Sequence, residues 1–368
     1  MHINELLKEM IEKNASDLHL KPSRPPLFRI SGTLEVMDAE KLDEKDTEHL
    51  AELLMTQQQR EKFENLNEID LAYTSPELSG RFRANIFRQK GCIEIIIRLI
   101  PAKIPTIEDL KLPSVLKNIA LIQRGFILLT GAVGSGKSTT VAAIINYMNK
   151  ETASHIITIE DPMEFVFEDA KSSVTQRELG IDTDSYHSAL KYSLRQDPDV
   201  IFVGEMRDTE TVATALSAAE TGHLVLSTLH TVDASQTIDR IIDFFPSTQQ
   251  NQIRSQFSNT LAAVISLRLV ERSDKKGRVP AVEVMLATQT IKTLIKEGKT
   301  SQIRSNIQAG TSQYGMQTFD QSLVELYKNG LISMDNALAE ATSPNDVKLA
   351  ITGIMSSVVS AQEQLKNF

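Results

Sequence analysis

Apolar positions along the chain change their period twice, and those changes divide it. Ile3, Leu6, Leu7, Met10 and Ile11 recur at helical spacing, which predicts an amphipathic helix over 3–13. Short strand-like runs follow at Asp17 to Leu20, Leu27 to Ile30 and Leu34 to Met37, punctuated by Pro25-Pro26 and Gly32. A helical stretch over 45–65 precedes three more strand-like runs, Ile69 to Tyr73, Arg81 to Phe87 and Ile93 to Leu99. These elements predict an α+β domain over 1–100. Pro101, Pro105 and Pro113 then fall among polar residues and mark 101–124 as a linker.

From Gly125 the pattern becomes buried strands separated by helices. Phe126 to Thr130, His155 to Ile159, Val200 to Val203 and Leu224 to Ser227 read as strands, and Lys137 to Asn149 as a helix. That alternation predicts a largely parallel sheet covered on both faces, an α/β core over 125–288. Beyond it the strands stop. Ile291 to Lys296, Gln317 to Lys328, Met334 to Ala341 and Asn345 to Ile354 predict a helical extension over 289–368.

Composition narrows the class. The 368 residues are 41% apolar and 24% charged, a globular profile. No apolar run approaches the ~18–20 residues that span a bilayer, and MHINELLKEM has neither a secretory nor a transit pattern. A cytoplasmic address is expected. The single cysteine, Cys92, excludes an internal disulfide and a cysteine-built zinc site. A formal charge of −9 argues against nucleic acid as a partner, because phosphate neutralisation needs a basic excess.

Candidate chemistry concentrates at the ends of the core strands. Gly131-Ala132-Val133-Gly134-Ser135-Gly136-Lys137-Ser138 matches G-x-x-x-x-G-K-[ST] in full, between an apolar strand and a helix. Its glycines let backbone N–H groups cradle a β-phosphate, and the helix that follows presents its positive end. Lys137 suits the β/γ-phosphates and Ser138 suits Mg²⁺, with Thr139 next in line. Pro198 to Glu205 is an apolar strand ending on a carboxylate, placed to hold the same ion through its water shell. Glu160, Asp161 and Glu164 put three carboxylates in five residues around Pro162. They suit metal binding or water activation, and equally a solvated loop. His223 and His230 flank another strand, seven residues apart, and that spacing selects neither.

Together these segments resemble the hexameric ATPases of the type II secretion and type IV pilus superfamily, and within it the pilus retraction motors. The P-loop is followed in order by ITIEDPMEF (157–165), DPDVIFVGEMRD (197–208) and TGHLVLSTLH (221–230). ASDLHL (15–20), RFRANIF (81–87) and GMQTFDQSL (315–323) extend the resemblance over nearly the whole chain. The resemblance implies a PAS-like N-terminal domain, a RecA-like core, and ATP with Mg²⁺ as ligands. Glu164 would be the general base, Glu205 the metal carboxylate, His230 the γ-phosphate sensor and His223 its structural partner. Arg81, Arg83 and Arg98 would be arginines that approach a neighbouring subunit's nucleotide. Implied partners are five further copies in a homohexamer, an inner-membrane pilus platform protein and a paralogous retraction ATPase, at the inner face of the cytoplasmic membrane. Assembly and secretion relatives carry a four-cysteine zinc insertion that one cysteine cannot supply, so retraction is favoured. The segment Thr290 to Glu297 keeps the apolar spacing of the AIRNLIRE-like helix of retraction motors but replaces its alanine, asparagine and arginines.

Overall fold

The computed structural model describes residues 2–30, 32–75, 78, 80–100 and 103–353. It divides into two compact units, Met1–Lys103 and Ile104–Phe368.

In the first unit, helix α1 (Ile3–Glu12) is closed by a capping box in which the His2 side chain and Glu5 satisfy each other's backbone N–H groups. Strands β1 (Asp17–Leu20), β2 (Leu27–Ile30) and β3 (Thr33–Val36) precede helices α2 (Glu44–Leu54) and α3 (Gln57–Leu66). The helix expected over 45–65 is therefore two. Thr56 makes a capping box with Gln59, which starts a new helix and ends the first. Strands β4 (Glu68–Thr74), β5 (Arg81–Gln89) and β6 (Cys92–Ile100) complete an antiparallel sheet of order β3-β2-β1-β6-β5-β4. One face packs Leu18, Phe82, Ala84, Ile86, Ile95 and Ile97 against the helices. The alternating partners point outward.

The second unit begins earlier than expected. Ile107, Leu112 and helix α4 (Val115–Ala120) bury their apolar side chains in the core beside the P-loop strand. The expected linker at 101–124 is thus corrected: its prolines punctuate a packed turn and helix, while Pro101 and Ala102 lie outside the described residues.

Strand β7 (Gly125–Thr130) leads into helix α5 (Lys137–Glu151), followed by β8 (His155–Glu160), β9 (Ser173–Glu178), α6 (Tyr186–Ser193), β10 (Val200–Val203), α7 (Thr209–Glu220) and β11 (Leu224–Leu229). Helices α8 (Ala234–Asp243) and α9 (Ser247–Thr260) run into the antiparallel pair β12 (Leu261–Glu271) and β13 (Arg278–Leu286). The sheet order is β13-β12-β7-β11-β10-β8-β9, with β12 through β9 parallel at each pairing. Every residue of β7 is buried, and its side chains alternate between two cores. Phe126 and Leu128 join the core containing α6 to α9, while Ile127 and Leu129 join the one containing α4 and α5.

Helices α10 (Gln289–Lys296), α11 (Ile303–Ala309), α12 (Thr311–Tyr314), α13 (Phe319–Lys328), α14 (Met334–Glu340) and α15 (Pro344–Thr352) form the extension. Phe319, Leu323, Leu326, Ala337 and Val347 pack on Val270, Val279 and Ala281 of the β12–β13 pair. The extension's final residues, 354–368, lie outside the described residues. No helix among the described residues is long and apolar enough to cross a membrane.

Candidate nucleotide site

Four parallel strands end at one edge, and each delivers part of the site. β11 lies between β7 and β10, with Leu229 opposite Thr130 and Ser227 opposite Val203. The P-loop after β7, Glu205 after β10 and His230 after β11 therefore meet, although 68 and 93 residues separate Glu205 and His230 from Lys137.

The loop is held from behind. The buried Thr130 hydroxyl bonds Ser266 of β12 at 2.8 Å. Gly131 has φ +144°, and a Cβ there would lie 2.5 Å from the Leu267 carbonyl oxygen. Only glycine fits so close an approach in that conformation. Gly136, at φ 92°, is the N-cap of α5, and no side chain caps that end. The first-turn N–H groups are thus available to an anion.

The Lys137 ammonium donates to the carbonyls of Gly131 at 2.7 Å and Ala132 at 2.9 Å. It also lies 3.4 Å from His230 Nδ1. An ammonium has no acceptor, so Nδ1 accepts and the ring proton stands on Nε2. Nε2 then donates to Glu205 Oε1 at 3.2 Å. Lys137, His230 and Glu205 form one chain from the P-loop to the end of β10. Burial lowers the Lys137 pKa, partly offset by the Glu205 charge. Glu205's other oxygen accepts from Arg207 at 2.8 Å. The turn carrying it is fixed by Ser227 and Thr228, whose hydroxyls donate to the Val203 and Gly204 carbonyls.

The acidic segment after β8 splits by environment. Glu160 is buried, accepts from Thr158 at 2.8 Å and Gln176 at 3.2 Å, and is pushed up to about 7 by burial. Asp161 and Glu164 are exposed. The Tyr186 hydroxyl lies among Asp161, Arg207, Glu205 and Glu160, and burial raises its pKa well above the ordinary phenol value. This tyrosine joins the acidic segment to the end of β10.

These groups fit a nucleoside triphosphate and a magnesium ion. The buried Ser135 hydroxyl has no hydrogen-bond partner among the described residues, and the uncapped end of α5 supplies donors beside it. Ser138 and Glu205 offer a hydroxyl and a carboxylate, the hard oxygen donors that Mg²⁺ takes in small number.

On the first unit's outward face, Arg83 and Arg98 stand directly opposite each other on β5 and β6. Each like charge faces an acid, and Asp17 also pairs with Arg29. Arg83 pairs with Asp70 at 3.3 Å, and Arg98 with Asp17 at 2.8 Å. Arg81 lies two residues from Arg83 on the same strand face.

The family model described as type II/IV secretion system protein matches residues 1–366. The chain belongs to that family. Among its members, the type IV pilus ATPase PilU of Pseudomonas aeruginosa is 42% identical over 95% of this chain and 91% of its own. The type IV pilus retraction ATPase PilT of the same organism is 44% identical over 94% of this chain and 100% of its own. A crystal structure of the pilus retraction motor PilT with bound ADP superposes with a TM-score of 0.88 at 46% identity, covering 94% of this chain and 98% of that one.

One motif member of this secretion-family chain is placed elsewhere. His223 precedes β11, and its Nδ1 lies 3.0 Å from the Ala218 carbonyl at the end of α7. The whole of β11 separates it from His230, so the structure does not bring the two histidines together. Three contributors escaped the sequence reading: Arg207, Tyr186 and Gln176. Arg207 sits inside the quoted motif, two residues past Glu205, and that spacing was the available signal. Tyr186 and Gln176 carried none.

Proposed function

We propose that this chain is a motor ATPase that drives type IV pilus retraction. The observation that carries the reading is the hydrogen-bonded chain Lys137–His230–Glu205 at the edge where the P-loop strand, β10 and β11 end. Support comes from relatives named as pilus ATPases over almost the full length of both chains. Backbone N–H groups of 131–139 and Lys137 would hold the phosphates, and Ser138 and Glu205 would hold a Mg²⁺ ion, which would supply neutralisation of phosphate charge. Glu164 accepts a proton from the water whose oxygen bonds the γ-phosphorus while the bond to the β–γ bridging oxygen breaks and ADP leaves. His230 links the γ-phosphate end of the site to Glu205.

Six chains form a ring in which Arg81, Arg83 and Arg98 of one subunit approach the nucleotide of the next. Cleft closure and opening turn a platform protein at the inner face of the cytoplasmic membrane, and pilin subunits leave the fibre base. A paralogous retraction ATPase works on the same machine.

Lys137→Ala and Glu205→Gln should each lower steady-state phosphate release by about 10²–10³-fold, the cost of removing one preorganised electrostatic group. Undiminished turnover in either would sink the site assignment. A deletion strain should carry many pili that do not retract; bald cells would instead indicate an assembly motor.

A further inference from the structure

Strand β9 is the outermost parallel strand of the second sheet, one strand beyond β8. Gln176 and Glu178 stand two apart on one face of it. Beside that face runs 161–169, a segment without regular secondary structure that carries the exposed Glu164. Gln176 Nε2 donates to the Phe165 carbonyl at 2.9 Å, and Gln176 Oε1 accepts from the Phe167 N–H at 2.8 Å. One amide thus takes both backbone groups as a neighbouring strand would. The same Nε2 lies 3.2 Å from Glu160 Oε1, and the Glu164 backbone N–H also faces the Glu160 carboxyl. Glu178 Oε2 accepts from the Met163 N–H at 3.2 Å. The backbone is therefore tied at 163, 164, 165 and 167, bracketing Glu164 on both sides.

We propose that Gln176 is a positioning residue for water activation, aiming Glu164 through its two bonds to the 165–167 backbone. This rests on the reading of Glu164 as the general base. An untied segment would let that carboxylate wander by about an ångström, and displacements of that size cost about 10²-fold in rate. Nucleotide binding draws on the P-loop and is independent of this clamp.

Two variants in the full-length chain test it. Gln176→Ala should lower kcat by about 10–100-fold while the KM for ATP stays within about twofold. Gln176→Glu keeps the shape. Protonated, its carboxyl has one donor and one acceptor and can rebuild the clamp; ionised, it can only accept. The charged groups around it are Glu160 on β8, Glu164 and Asp169 in the flanking segment, Glu178 and Arg177 on β9, and Asp161 and Tyr186 nearby. The introduced carboxyl replaces the amide that donates to Glu160, so the two acids titrate as a pair and the ratio of the two pH profiles reads that pair. The kcat of Gln176→Glu relative to wild type should rise steadily as pH falls from 8 to 6. A ratio that stays flat, a Gln176→Ala kcat within twofold of wild type, or a raised KM with kcat intact overturns the proposal. Glu164→Gln separates the two levels. If it is inactive while Gln176→Ala turns over normally, only the clamp fails; if it retains turnover, the base assignment fails and the clamp falls with it.

Discussion

Replacing Gly131 with alanine tests whether the close seating of the P-loop against β12 is what shapes the phosphate cradle. The new Cβ would lie 2.5 Å from the Leu267 carbonyl oxygen and 2.6 Å from Ser135 Oγ, at φ +144°. Leu267 lies in β12 opposite Val282 of β13, one residue past the last pairing with β7, so its carbonyl cannot yield alone. Restoring an ordinary 3.4 Å contact means opening the loop from the strand by about 0.9 Å. A shift of that size in the groups that hold the phosphates lowers kcat/KM by about 10²-fold. The backbone strain costs about 1–3 kcal/mol in stability. At about 2–4 °C per kcal/mol for a unit of this size, thermal unfolding should move down by roughly 2–12 °C. Gly134→Ala is the control. Gly134 also has positive φ, at +76°, but nothing lies within 4 Å of its Cβ position. Its stability cost is the left-handed backbone alone, about 1–2 kcal/mol, with a smaller loss of activity than Gly131→Ala. Phosphate release and melting temperature measured on both variants decide the matter. Gly131→Ala with activity within threefold of wild type, or an equal loss in Gly134→Ala, would refute the reasoning.

Two further outcomes follow from other parts of the molecule. Arg98→Ala should reduce turnover by about 10³-fold with fluorescent ATP binding retained, and mixing it with Lys137→Ala chains should restore part of it. A mixture that stays inactive removes the assignment in trans. Burial raises the Glu283 carboxyl to about 7, against partial help from the Ala234 N–H, with Asp233, Arg268 and Arg304 nearby. The folded state then binds this proton more tightly than the unfolded state. The group's contribution is full below about 4.5 and is lost as pH rises towards 7. Glu283→Gln should therefore be about 3 kcal/mol more favourable relative to wild type at pH 8 than at pH 5, by denaturant unfolding at both pH values. A difference that does not change with pH would contradict this.

Much of the architecture was legible because it is written locally. The strands Asp17–Leu20 and Val200–Val203 alternate or run apolar between clear breaks, and the structure ends them where the pattern does. Strand β9 was invisible for the opposite reason. SVTQRE has no apolar alternation, because one face is exposed and the other is spent on polar tethers to 163–169. The prolines of 101–124 suggested a linker, whereas Ile107, Leu112 and Leu116 are core residues whose burial depends on partners far away in sequence.

By itself, the sequence determined the phosphate loop, since eight consecutive residues and a following helix carry the whole device. It likewise placed the Glu205 carboxylate at the end of a buried strand, while both histidines flanked theirs and the pattern chose neither. What only the tertiary structure decided is their meeting. β11 is placed between β7 and β10, which puts Lys137, His230 and Glu205 within hydrogen-bond reach while leaving His223 at the far end of the same strand. Periodicity records which face of an element is buried. Strand order and register come from pairing between distant segments, and no local pattern encodes them.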